Sequence, residues 1–251
     1  MIRLSHRLET IANYISKGET VADIGTDHGF LPISLWERGI SPKVILSDVK
    51  EGPLEKARDN IQKYFPDNPF DIRLGSGLNT IGIGEVDAIV IAGMGGMLIA
   101  DILAEDLEKT KSCQKIIMQP RNAQEKLRNW LLFNNFIIYD EVLVQEGKYI
   151  CEIIAARPAG ASGADGVNEE SSSLNKKMNP LDLEISPILF DKKDPLLVEF
   201  LENKIRIENK IITDIKNGAG KNELKRKEAL EASESRIQLL QELLKRSKRE
   251  K

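Results

Sequence analysis

TVADIGTDHGFLP, residues 20–32, joins an apolar, β-branched run to a helical pattern through two glycines. Its first six residues have the composition of a strand, Gly25 and Gly29 suit a tight turn, and a helix opens near Phe30. The same alternation continues along the chain. KVILSD (43–48), FDIRLG (70–75), VDAIVIAG (86–93), CQKIIMQ (113–119), FIIYDEVLV (136–144) and YICEIIAA (149–156) read as strands. Helical patterns fall at 30–38, 52–64, 97–108 and 123–134, after a leading helix at about 5–16. Strands separated by helices imply βαβ units and a parallel sheet covered on both faces. The last two strand runs are joined only by residues 145–148, which predicts an antiparallel hairpin at the sheet edge.

After Ala156 the composition changes. RPAGASGADGVNEESSSLNKKMNP (157–180) is rich in Gly, Ser and Asn with few apolar groups, as a linker is. Two long helical patterns follow at 195–216 and 222–248. Leu197, Leu201, Ile205, Ile212 and Ile215 share one stripe, and Leu230, Ile237, Leu240 and Leu244 share another. The break at residues 217–220, Asn-Gly-Ala-Gly, predicts a helical hairpin. The expected organisation is an α/β, Rossmann-like domain at 1–157, a linker at 158–180 and a coiled-coil-like helical hairpin at 181–251.

A chain of 251 residues, 41% hydrophobic and 30% charged, suits one sizeable core with an appendage and excludes fibrous or wholly disordered classes. No run of about eighteen apolar residues occurs, and MIRLSHRLETIA is amphipathic rather than a signal peptide, so a cytoplasmic protein without a membrane partner is expected. Cys113 and Cys151 sit singly in apolar runs, as buried reduced thiols do, and no metal site is expected. The net charge of −3 is uneven. Residues 221–251 hold ten Lys and Arg against six Glu, a net of +4 that leaves −7 on the rest. That basic element suits either phosphate binding or a solvated helix face.

Ligands of doubly wound sheets lie at the carboxyl ends of the strands. There, Asp23-Ile24-Gly25-Thr26-Asp27-His28-Gly29 resembles the first motif of class I S-adenosylmethionine-dependent methyltransferases, D-x-G-x-G-x-G, with Asp27 in place of the middle glycine. A dinucleotide would set its pyrophosphate against this turn, and a carboxylate there repels it. S-adenosylmethionine presents an ammonium and a sulfonium instead, which Asp27 attracts. Asp48, about 25 residues beyond Asp23, can accept the ribose hydroxyls. Ser76 and Gly77 fall where this superfamily contacts adenine, although Ser76 lacks the acidic group many relatives use. Ala92-Gly93-Met94-Gly95-Gly96 has no [ND]-P-P-[FYW] motif, so a ring nitrogen is a better target than an exocyclic amine. Its glycines allow a base or the donor methyl to approach the backbone closely.

Taken with Arg3-Leu4-Ser5-His6-Arg7-Leu8, LSDV, LGSGL, IAGMGG, MQPRN (118–122) and the closing hairpin, the pattern resembles the bacterial tRNA adenine-22 N1-methyltransferase family, TrmK. The resemblance covers residues 1–157 and resumes from about 181. It implies transfer of a methyl group from S-adenosylmethionine to adenine N1 in tRNA, by direct in-line displacement in a monomer. Under it, the donor-binding residues are Arg7, Asp23, Gly25, Asp27, His28, Gly29, Asp48, Ser76, Gly77, Ala92, Gly93 and Met94. Gly95, Arg121 and Asn122 are substrate contacts. Asp27 is the candidate catalytic carboxylate, in competition with its donor-binding role. Arg7 pairs either with the donor carboxylate or in a surface ion pair, and His28 either contacts the donor or caps the helix. Two other readings share these motifs: a methyltransferase for another RNA base or a small molecule, and a non-catalytic RNA-binding module.

Overall fold

The computed structural model describes residues 2–67, 70–160, 180–217 and 223–249. Seven strands, β1 (Val21–Ile24), β2 (Val44–Asp48), β3 (Asp71–Leu74), β4 (Ala88–Met94), β5 (Lys115–Pro120), β6 (Phe136–Glu146) and β7 (Tyr149–Pro158), form one sheet in the order β3-β2-β1-β4-β5-β7-β6. The first five in that order are parallel; β7 runs antiparallel to both β5 and β6. Every residue of β1 is buried, as a central parallel strand with helices on both faces requires. The edge hairpin is longer than its expected strands because β6 reaches Glu146 and β7 reaches Pro158. Arg157 and Pro158, expected in or beside the linker, therefore pair with Ile137 and Phe136. The expected linker segment 161–179 lies outside the described residues.

The helices between the strands are α1 (His6–Ala12), α2 (Phe30–Glu37), α3 (Glu51–Tyr64), α4 (Gly96–Glu105), α5 (Leu107–Ser112) and α6 (Gln124–Phe133). Ser5 caps α1 by accepting from the Leu8 N–H. The single helix expected at 97–108 is divided, because Asp106 takes a non-helical conformation and accepts from Lys109 N as the N-cap of α5. Cys113 is buried, which pushes its thiol up to about 12, whereas Cys151 is only half-buried and so departs from the expected pair of buried thiols.

The chain divides into two units, residues 1–185 and 186–251. Residues 181–185, expected with the helical hairpin, thus belong with the sheet. The cause is Arg128 on α6, which is fully buried. Its guanidinium donates to Glu141 of β6 at 2.8 Å, to Glu152 of β7, and to the Leu183 carbonyl at 2.9 Å at the end of α7 (Pro180–Glu184). One side chain ties the edge hairpin to a segment beyond it in sequence.

The second unit holds α8 (Pro187–Asp191), α9 (Leu197–Asn217) and α10 (Glu223–Arg249). Ion pairs Glu202–Lys248, Glu208–Arg236 and Lys216–Glu234 run in opposite senses along α9 and α10, so the pair is an antiparallel hairpin. Its expected turn residues 218–220 lie outside the described residues. The seam of α10 is displaced from expectation: Ser233, Leu240, Leu243 and Ser247 are buried, while Leu230, Ile237 and Leu244 are half-buried. The two serines leave room for close helix approach, which a count of leucines does not anticipate.

Removing the shared guanidinium leaves two buried carboxylates without their common cation, a change that costs about 3–5 kcal/mol. Arg128→Met is therefore expected to lower the urea midpoint markedly, and an unchanged midpoint would remove this residue from the account of how 180–185 is held.

Candidate functional site

The site forms where the carboxyl ends of β1, β2, β4 and β5 meet. Gly25 follows β1 with φ 81°, and its N–H donates to the Ser47 carbonyl at 2.8 Å. A Cβ at Gly25 would lie 1.9 Å from the terminal methyl of Met94, which would have to rotate aside, and the positive φ is what favours glycine there. Gly29, with φ 69°, is the N-cap of α2. A Cβ there would come within 2.9 Å of Leu46 and 3.1 Å of Ala57, which locks the first crossover against β2 and α3. Asn60 of α3 donates to the His28 carbonyl at 2.9 Å and holds the same turn.

β4 ends irregularly. Gly93 has φ 79°, and the pairing with β5 slips between Ala92 and Met94, a bulge that re-aims Met94 towards Gly25. The guanidinium of Arg121 lies beside Gly93, with Nη2 3.6 Å from where a Cβ would stand. Arg121 N donates to the Met94 carbonyl at 2.7 Å, and Gly96 N donates to that of Asn122 at 2.9 Å. Asn122 also sits against Gly95, its Oδ1 3.0 Å from a Cβ position there. The IAGMGG and MQPRN segments are thus pinned to each other, and Ala123 pays for the join with a left-handed φ of 52°.

Two carboxylates end β1 and β2. Asp23 is buried, and desolvation pushes its carboxyl up to about 6; the Thr26 hydroxyl and the Arg7 charge oppose this, and Asp48 adds to it. Asp48 Oδ1 accepts from the Lys50 N–H at 2.8 Å. Arg7, on α1, donates to Gln119 Oε1 at 3.3 Å, and its Nε lies 3.6 Å from Glu146 on the edge hairpin. The expected surface ion pair is present, yet the same guanidinium also acts on Asp23.

Asp27, expected to face the donor, is turned outward. Its side chain is 67% exposed and lies 3.3 Å from both Lys56 Nζ and His28 Nε2. His28 stacks on Phe30 with ring centroids 5.3 Å apart. The buried negative charge belongs to Asp23 instead. Beside Asp48, the register pairs β2 with Leu74 of β3, and Val49 and Leu74 are exposed apolar residues at this rim. Ser76 precedes a 3₁₀ turn, Gly77–Thr80, in which Gly77 (φ 50°) lies close under Ile102 and Glu105 of α4.

Sequence reasoning missed Gln119, Val49, Leu74 and Glu146. Gln119 stood inside the MQPRN motif and is the only buried polar side chain of β5, a signal that could have found it. Among the described residues, no cluster of three or more His, Cys, Asp or Glu could hold a metal ion, and no helix is long and apolar enough to cross a membrane.

The chain is similar to known proteins along nearly its whole length. A family described as a methyltransferase domain matches residues 4–154. The tRNA (adenine(22)-N(1))-methyltransferase of Bacillus subtilis is 30% identical over 244 residues, 97% of this chain and 98% of that protein. The crystal structure of the B. subtilis M1A22 tRNA methyltransferase TrmK superposes with a TM-score of 0.80 at 28% identity, covering 97% of this chain and all of that one. A Streptococcus pneumoniae structure in complex with S-adenosyl-L-methionine gives 0.79 at 29% identity, covering 96% and 100%.

The raised Asp23 carboxyl has a definite sign. Folding favours its protonated form, so its contribution is greatest below the ordinary value of 3.8 and is lost as pH rises to about 6. Asp23→Asn should therefore stabilise the ligand-free protein near pH 7.5 by on the order of 1–3 kcal/mol, seen as a higher melting temperature, with no advantage at pH 4. The same variant should weaken binding of a cationic ligand at the site, measured by calorimetry. A melting curve at pH 7.5 that does not move would contradict a buried charge at this position.

Proposed function

We infer the function from one premise: this chain belongs to the tRNA (adenine(22)-N(1))-methyltransferase family, and so it is a methyltransferase that transfers a methyl group from S-adenosylmethionine to N1 of adenine 22 in tRNA. The observation that carries the assignment of residues is the pairing of a buried carboxylate, Asp23, with two positive-φ glycines, Gly25 and Gly93, that end β1 and bulge β4 beside it. That combination fits a cationic donor and disfavours a pyrophosphate.

When bound, S-adenosylmethionine supplies a methyl group on a positively charged sulfur. Asp23 and Asp48 counter the positive charge and accept from the ribose, while Arg7 is available to the methionine carboxylate. Val49 and Leu74, with the backbone at Ser76 and Gly77, offer an apolar rim for the adenine ring. Gly25, Ala92, Gly93 and Met94 face the donor, with Gly29 fixing the turn behind them, and Met94 yields the space beside Gly25 by rotating its flexible side chain. Gly95, Arg121 and Asn122 receive the acceptor base. Adenine N1 carries its own lone pair, so alignment replaces a covalent intermediate: the N–C bond forms as the S–C bond breaks. The positive charge then resides on the methylated ring, where a carboxylate stabilises it. Asp23 suits that task better than Asp27, whose side chain is two-thirds exposed and screened by water. His28 supports the turn through its stack on Phe30.

We read residues up to Pro158, with 180–185 packed against them, as the methyltransferase domain, and the helical unit at 186–251 as an RNA-positioning element in a cytoplasmic monomer. Support comes from the net +4 of residues 221–251, whose Lys and Arg suit tRNA phosphates.

Incubation with S-adenosylmethionine and bulk tRNA, followed by nucleotide-resolved mapping, should show methylation at N1 of adenine 22 and none in protein. Asp48→Ala should lose donor affinity by about tenfold or more, the value of a hydrogen bond to a charged group. Methylation at another nucleotide, or tRNA binding without turnover, would replace this reading.

A further inference from the structure

The turn of the β6–β7 hairpin carries an aromatic and a basic residue that the reading above does not use. Glu146 and Tyr149 are direct cross-strand partners, joined by Gly147 and Lys148. Gly147 has φ 59°, as the first position of a tight two-residue hairpin turn requires. Tyr149 is 65% exposed, and the Lys148 ammonium stands 5.3 Å from its ring centroid.

The face on which Tyr149 stands follows from strand geometry. Side chains alternate, so Tyr149 and Cys151 share a face, and directly opposed residues of antiparallel strands point the same way, which adds Glu146 and Val144. Burial raises the Cys151 thiol, and the charges of Arg7 and Arg121 partly oppose it. Glu146 accepts from the Arg7 N–H at 3.4 Å and pairs with its guanidinium. Tyr149 therefore projects from the face that borders both arginines, beyond the carboxyl end of β5, at the acceptor side of the site. A solvated aromatic ring there, beside a lysine and near two arginines, has the chemistry of a stacking platform for a nucleobase with adjacent phosphate contacts.

We propose that the hairpin tip, through Tyr149 and Lys148, binds the tRNA substrate next to the target adenine: Tyr149 stacks on an unpaired base and Lys148 meets the backbone. The proposal rests on the tRNA reading. Its occupant is RNA rather than a protein surface because a lysine lies against the exposed ring, Arg7 answers the one neighbouring carboxylate, Glu146, and the turn stands at the carboxyl end of β5 where the acceptor is read to enter.

The test compares Tyr149→Ala, Tyr149→Phe, Lys148→Ala and a matched control, Tyr64→Ala. Tyr64 ends α3, is 44% exposed and also carries a lysine, Lys63, 5.3 Å from its ring. Each variant is assayed with S-adenosylmethionine and tRNA, and donor affinity is measured separately by calorimetry. Tyr149→Ala should raise KM for tRNA about tenfold or more, the loss expected of one base–aromatic stack, with donor affinity unchanged. Tyr149→Phe should restore KM, Lys148→Ala should raise it and flatten its salt dependence, and Tyr64→Ala should not move it. An unchanged KM in Tyr149→Ala, an equal rise in Tyr64→Ala, or a parallel loss of donor affinity would overturn the proposal. If the wild-type protein binds S-adenosylmethionine but methylates no tRNA, the functional reading fails instead.

Discussion

The site depends on how closely the ends of β1 and β4 approach each other. Gly25 and Met94 touch where any side chain on residue 25 would collide with the methionine methyl, and Gly96 packs against the backbone carbonyls of Asn122 and Ala123 at distances that exclude a Cβ. These contacts draw the four central strand ends into one small basin. A larger residue at Gly25 would face a strained conformation, at φ 81°, and would also displace the flexible tip of Met94. The bulge at Gly93 accompanies the arrangement, breaking the regular pairing of β4 with β5 just before Met94.

Packing so tight has an electrostatic cost. Asp23 is the last charged group before the basin and is shut off from water, and its carboxyl is driven up to about 6 even with Arg7 nearby. A residue chosen for stability alone would not be ionised here. On the reading proposed above, the arrangement holds a charge for a cationic donor, whose binding would relieve that cost. This is the usual exchange of stability for function at a binding site. It also explains the division of labour between the two carboxylates of the first crossover. Asp23 is strongly perturbed because it is buried, while Asp27, four residues later, shares its charge with Lys56 and solvent.

Most of the sheet was legible because parallel strands with both faces covered are written as apolar runs, and each run here lies within a few residues of its strand. The turn after β1 was legible too, since Gly25 and Gly29 are favoured by their positive φ. What could not be read was direction. Asp23 and Asp27 flank the same glycine, and nothing in residue type tells which carboxylate turns inward. The role of Arg128 was equally hidden, because its partners Glu141 and Glu152 lie on strands whose pairing is fixed only by tertiary structure. The register of α10 failed for a different reason: serines at 233 and 247 are buried there, and a leucine-based stripe passes over them.

An enzyme of this kind must satisfy opposite electrostatic demands, and the strand order separates them. A cationic donor calls for carboxylates, which residues 1–220 supply with their net −7, but such a surface repels a polyanionic substrate. The acidic groups Asp23 and Asp48 end β1 and β2, towards one side of the sheet. Arg121 follows β5, and Lys148 crowns the β6–β7 turn, towards the other. Arg7 lies between, facing Asp23 on one hand and Gln119 and Glu146 on the other. The sense of β6 matters for this separation: it runs parallel to β5, so the turn that follows it lies on the carboxyl side of the parallel strands. The antiparallel edge thus brings Lys148 to the same end of the sheet as Arg121 and the two carboxylates.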